Sequence, residues 1–224
     1  MEEPITVQYS SSLGFKGARI HIQYLEEGIK RVKKDKIKDV CIWQELDRAR
    51  YTLNLDFLNG LEFLETFEWL VKLSKKSDIE GLYSLSKLRD FRWAPDNLFP
   101  IDFSRLTTIE SINTRYHEGL KNLDKLTELK ELYLQSVHTE DLRFLPKLDK
   151  LELLRIINGK FTSLEGLEQC SNLKKLDLRR CFNLVYAHST LLKLRRLESV
   201  VLDSKKHDIV EDELKSRVPL VYFG

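Results

Sequence analysis

The side chains best suited to chemistry are scattered along this chain, and their spacing decides what they are for. Histidines at 21, 117, 138, 188 and 207 have no second ligand nearby at zinc-like spacing. Cys170 and Cys181 are separated by ten residues, and Cys41 stands far from both. The nine glycines form neither GxGxxG nor a P-loop, and there is no GxSxG elbow. Glu26-Glu27 and Glu211-Asp212 are neighbours in sequence, with nothing to hold them across a cleft. No catalytic constellation, metal or cofactor is therefore expected. What remains is the chemistry of recognition. Arg92, Arg115, Tyr133, Leu153, Arg155, Ile157, Asp177 and Arg179 combine guanidinium, aromatic, aliphatic and carboxylate groups, the mixture from which protein-binding hot spots are made.

The elements that must position them follow from a repeat. Leu129-Leu132-Leu134 has the form LxxLxL, which returns at Leu151-Leu154-Ile156 and Leu173-Leu176-Leu178. Looser copies are Leu64-Phe67-Trp69, Leu88-Phe91-Trp93, Ile109-Ile112-Thr114 and Leu197-Val200-Leu202, with Ile37-Val40-Ile42 as a first copy. From Leu64 onward the copies begin at Leu64, Leu88, Ile109, Leu129, Leu151, Leu173 and Leu197, at nearly constant intervals. Between copies, apolar residues fall at every third position, as in Leu55-Leu58-Leu61-Leu64 and Leu142-Leu145-Leu148-Leu151. That spacing suits a 3₁₀ turn, whose i and i+3 side chains eclipse. The Leu-x-Leu segment suits a strand with one buried face. Each unit is thus a strand, a loop and a tight return, and none can bury its leucines alone. About eight units must stack into one parallel sheet, roughly 35–40 Å long at the usual strand spacing.

These motifs resemble the leucine-rich-repeat family, whose consensus is LxxLxLxxN/C with a variable return. The unit, roughly 22 residues long, resembles the internalin and phosphatase-regulatory-subunit type. The resemblance covers positions 37–202 and is closest over 129–178. It implies an α/β leucine-rich-repeat solenoid: a concave parallel sheet, short 3₁₀ or helical returns, and terminal caps. Only Cys181 matches the family's Asn or Cys. Lys72, Asp96, His117, Val137, Gly159 and Lys205 stand at the other equivalent places, so the usual side-chain ladder must be interrupted and loop backbone groups must find other partners or water. Irregularity is expected at Pro95 and Pro100 and in the long segment between Ile42 and Leu64.

The chain divides on this reading into an N-terminal cap, 1–36; repeats, 37–206; and a C-terminal cap, 207–224. In the first, Ile20-His21-Ile22 alternates like a strand, and Leu25, Ile29 and Val32 mark an amphipathic helix. Val218–Phe223 is an apolar run expected to cover the last coil, or to offer an edge strand to a partner. Lys and Arg number 37 against 35 Asp and Glu, a balance that supplies no global attraction to nucleic acid or anionic lipid. Met1–Ser12 has no basic region leading into an apolar run, no stretch is long and apolar enough to span a bilayer, and three scattered cysteines make no disulfide scaffold. A cytoplasmic protein is expected.

Strand alternation nominates the exposed side chains of the concave face. Its middle row reads Cys41, Glu68, Arg92, Asn113, Tyr133, Arg155, Asp177 and Val201. Cys41 there would be an outward thiol, reactive or covered by the cap. Arg92, Arg115, Arg155, Arg179 and Arg180 would form a positive strip suited to an acidic protein, unless Asp90/Arg115 or Arg155/Asp177 pairs neutralise it. The expected function is a non-catalytic protein-interaction module binding on this face. A narrower version is a bacterial immunity or inhibitor protein. The alternative is a nucleic-acid-binding protein using the arginine strip and the basic segment Lys30–Lys38.

Overall fold

The computed structural model describes residues 5–10, 15–45, 49–204 and 206–224. Eight of the described strands are the eight LxxLxL copies: β3 (Asp39–Trp43), β4 (Thr66–Leu70), β5 (Asp90–Trp93), β7 (Ser111–Arg115), β9 (Glu131–Gln135), β10 (Leu153–Ile157), β11 (Lys175–Arg179) and β12 (Ser199–Leu202). They lie in that order in one parallel sheet. Two further short strands, β6 (Ile101–Asp102) and β8 (Leu120–Lys121), pair with each other beside it. The returns contain 3₁₀ turns at Leu55–Leu58, Glu80–Ser84, Phe103–Arg105, Leu123–Lys125 and Leu167–Gln169, with a short helix α2 (His188–Lys193) in the last.

Register explains the core. Val40, Phe67, Phe91, Ile112, Leu132, Leu154, Leu176 and Val200 face one another across successive strands, and all are buried. The next inward column runs from Ile42 through Trp69 and Trp93 to Leu202, and is also buried. It contains one polar member, Thr114, whose hydroxyl donates to the Trp93 carbonyl at 3.0 Å, so that its burial leaves no donor unpaired. The wide coils at the N-terminal end fill their interior with rings: Trp69 and Trp93 lie 6.0 Å apart, with Phe57, Phe67, Phe91, Phe99 and Phe103 around them. The C-terminal coils fill theirs mainly with leucines.

The missing asparagines are replaced by main chain. Cys181 Sγ lies 3.4 Å from the Arg179 carbonyl and 3.8 Å from that of Ile156. At the other coils amides bond directly to the neighbouring coil: Tyr116 N to Gln135 O, Ser136 N to Ile157 O, Asn158 N to Arg179 O and Lys160 N to Val137 O, at 2.8–2.9 Å. Three equivalent residues just after β9, β10 and β11, namely Ser136, Asn158 and Arg180, take left-handed φ of 59°, 61° and 54°, which turns each loop in the same way. Lys205 lies outside the described residues.

The ladder continues past both ends of the leucine-defined region. β2 (Phe15–His21) pairs in parallel with β3, matching Ala18 to Val40 and Ile20 to Ile42. Phe15-Ala18-Ile20 is therefore a degenerate copy, starting one repeat length before Ile37. Strand here extends N-terminal to the expected Ile20–Ile22, and Ile22 opens a 3₁₀ turn instead. Helix α1 (Leu25–Asp35) serves as that coil's return, burying Ile29 and Val32, and the lack of a side chain at Gly28 lets Ile20 pack against it. β1 (Ile5–Ser10) closes this end antiparallel to β2. At the other end, α3 (Glu211–Lys215) leads to β13 (Leu220–Phe223), which pairs in parallel with β12 and matches Val221 to Val200 and Phe223 to Leu202. Val218-Val221-Phe223 repeats the motif one repeat length after Leu197.

Candidate concave recognition surface

The middle row of the sheet lies as alternation requires, each residue beside the next: Arg19, Cys41, Glu68, Arg92, Asn113, Tyr133, Arg155, Asp177, Val201 and Tyr222. Alternation does not decide how exposed they are. Cys41, Glu68 and Asp177 are buried, because concave curvature crowds the long side chains of neighbouring strands over them. Cys41 therefore points to the concave face but is covered there rather than reactive: burial and the adjacent Glu68 carboxylate push its pKa far above the ordinary thiol value.

The arginines do not form an unopposed positive strip. Arg92 donates to Asp90 on its own strand, at 3.0 Å through Nη2. Arg155 Nε donates to Asp177 Oδ2 at 2.7 Å, and Arg179 Nε to Asp177 Oδ1 at 2.9 Å. The Arg155/Asp177 pair is thus present, whereas Asp90/Arg115 is not. Those two residues stand at opposite ends of the strand rows, four residues apart in register and so roughly 13 Å apart. Arg115 is exposed at the rim and reaches the Asp96 carbonyl at 3.5 Å.

Of the eight nominated residues, Tyr133, Leu153, Arg155, Ile157, Asp177 and Arg179 come together on β9–β11. The Arg155 guanidinium lies 5.5 Å from the Tyr133 ring centre. The Tyr133 hydroxyl donates to Glu131 at 2.8 Å; burial and this carboxylate raise its pKa to about 12, so the phenol stays neutral and a donor at physiological pH. Arg92 joins them across Asn113 along the floor of a depression of about 550 Å³. Its rim carries Asp39, Glu65, Asp90, Glu110 and Glu131 against Arg89 and Lys130, a mixed-charge surface rather than a basic one.

Sequence reasoning missed two sets of residues. Leu220 and Tyr222 of β13 continue the first and middle concave rows and are 67% and 62% exposed, the most open large apolar side chains on this face. Recognising Val218-Val221-Phe223 as a motif copy would have placed them. The second set is the residue after each first Leu: Lys38, Glu65, Arg89, Glu110, Lys130, Glu152, Lys174 and Glu198, alternating in sign without exception. They stack at the strand starts, each amide from Glu65 onward donating to the carbonyl of the previous member at 2.8 Å, with ion pairs Lys38–Glu65, Arg89–Glu110, Lys130–Glu110 and Lys174–Glu152.

Among the described residues no group of three or more His, Cys, Asp or Glu is placed to hold a metal ion, and no helix is long and apolar enough to cross a membrane. No protein-family model and no curated relative matches the sequence. Among solved structures, an internalin (inlF) from Listeria monocytogenes superposes with a TM-score of 0.52 at 16% identity, over 80% of this chain and 60% of that one. A leucine-rich-repeat protein of Leptospira interrogans matches over 87% of this chain and 56% of its own, with a TM-score of 0.49 at 14% identity. This chain therefore spans less than two thirds of the length of either. At such identity the internalin likeness is one of fold, and it agrees with the motif ladder and the parallel sheet: the chain has the leucine-rich-repeat fold, a solenoid.

Proposed function

We propose that the chain is a non-catalytic module that holds a protein on its concave face, centred on β9–β11. The observation that carries this reading is the continuous surface made by Tyr133, Leu153, Arg155, Ile157 and Arg179. It presents aromatic, aliphatic and guanidinium groups, all but Arg179 half-buried, braced by Glu131 and Asp177. Such preorganised anchors lose little side-chain entropy on binding. Affinity capture from extracts of the native host, read by mass spectrometry, tests it. Tyr133→Ala combined with Arg155→Glu should abolish retention of the protein that wild type enriches, while circular dichroism stays native. Unchanged retention would sink the site.

A narrower form of the proposal is an immunity or inhibitor protein that blocks a toxin or enzyme in the cytosol. Free thiols at Cys41, Cys170 and Cys181 suit that reducing setting, and rescue of cells from a toxic neighbouring gene product is the deciding measurement. The nucleic-acid alternative loses support from the contacts that most of the cations in 30–38 make within the chain. Lys30 bonds Glu26, Arg31 bonds Asp35, Lys33 bonds the Asn59 carbonyl, Lys38 bonds Glu65, and Lys36 lies over the Phe63 ring. Salt-sensitive retention on RNA or DNA would restore it.

A further inference from the structure

Asp177 has a low exposure, 8%, and both its oxygens are occupied, one by Arg155 beside it in the middle row and one by Arg179 two residues further along its own strand. Both bonds are made through Nε. The four Nη nitrogens of Arg155 and Arg179 have no hydrogen-bond partner among the described residues, and the two side chains are 40% and 54% exposed. A carboxylate that orients two guanidiniums from beneath leaves their planar donor edges free for a second acceptor, the geometry that suits a bidentate carboxylate. Lys175, exposed on the same strand and without an ion pair among the described residues, adds a third cation. The nearby Asp203 accepts from the Arg180 amide at 3.1 Å.

The next strands supply an apolar shelf. Asp177 stands in register with Val201 and then Tyr222, and Lys175 with Ser199 and then Leu220. Tyr222 is therefore roughly 10 Å from Asp177 across the sheet, about three residues of extended chain. Large apolar groups this open beside polar ones mark contact surface.

Resting on the concave-face reading, we propose that Arg155 and Arg179, oriented by Asp177, receive an Asp or Glu side chain of the protein partner, and that an apolar side chain two to four residues away from it sits on Val201, Leu220 and Tyr222. A polyanion fits worse. Phosphates recur along a strand and need a run of cations, whereas the adjoining depression presents Asp39, Glu65, Asp90, Glu110 and Glu131.

The test uses the whole chain, immobilised, and a displayed library of random dodecapeptides, with a thymidine oligonucleotide as a second probe. Wild type should enrich peptides pairing Asp or Glu with an apolar residue two to four positions away. In a synthetic copy of such a peptide, changing the acid to its amide should weaken binding by about tenfold or more. The same loss should follow Arg155→Gln with Arg179→Gln, and the two losses should not add. Leu220→Ser with Tyr222→Ser should remove the apolar preference while keeping the acidic one. The acid-to-amide change leaves the protein untouched, so misfolding of a variant cannot mimic the result. Absence of acidic enrichment, or indifference to the amide, overturns the clamp. If such binding is still lost in Tyr133→Ala, the concave-face reading survives; if it is not, both fall. Absence of any selected peptide overturns both, and oligonucleotide binding that needs the two arginines overturns the protein partner.

Discussion

Cys41 occupies a row where alternation alone would expose it, and the sheet buries it between Arg19 of β2 and Glu68 of β4. The two neighbours act on the thiol in opposite directions. The Glu68 carboxylate opposes thiolate formation, the Arg19 charge favours it, and desolvation, which outweighs both, opposes it. Cys170 and Cys181 are also buried, with pKa values pushed up to about 11 chiefly by loss of water. Thiolate is the nucleophile, so the native protein at pH 7.5 should resist iodoacetamide at all three positions, and unfolding in guanidinium should expose three reactive thiols. Mass spectrometry that finds Cys41 alkylated in the native state would contradict this placement.

At the scale of the coil, the alternating column from Lys38 to Glu198 places opposite charges on neighbouring coils and like charges on coils two apart. A misregistered stack that skipped a coil would bring like charges together, so the column favours the native order as well as stabilising it. Glu110 sits between Arg89 at 2.7 Å and Lys130 at 2.6 Å. The bond from Lys130, reinforced by Arg89, lowers its pKa below the usual 4.5. A lowered carboxylate pKa contributes stability above the unfolded value, and that contribution is lost as the pH falls through the folded one. Urea unfolding should show Glu110→Lys less stable than Glu110→Gln by a few tenths to about 1 kcal/mol at neutral pH and low salt. The gap should shrink in 1 M NaCl, where screening is short-ranged. A gap unchanged by salt would mean that the column is packing, not electrostatics.

Across the whole molecule, each coil touches chiefly its neighbours, so stability is distributed along one dimension. Leu197, buried at the start of the last leucine-defined coil, tests that distribution. Leu197→Ala should cost about 2–5 kcal/mol locally. Hydrogen exchange should then accelerate in β11–β13 and α3 while β4–β7 keep their protection. Uniform loss of protection would instead show a single cooperative unit. The exposure of Leu220 and Tyr222 belongs to this scale too, because among the described residues β13 has a neighbouring strand on one side of the sheet, β12.

Repeated leucines were enough, without coordinates, to determine the solenoid, its eight central strands and the side chains of each concave row, because burial of one face of a short strand imposes a strict period. The same logic reached Tyr133, Arg155, Asp177 and Arg179. It stopped at the two terminal copies: Ala18 carries too little apolar bulk to announce a repeat, and Val218–Phe223 reads as an apolar cover for the last coil, although hydrogen bonding to β3 and β12 holds both in register. Exposure and pairing were settled only in three dimensions. Whether Asp177 neutralises one arginine or orients two depends on rotamers above a curved sheet, and whether Cys41 meets solvent depends on side chains contributed by strands a full repeat away on either side.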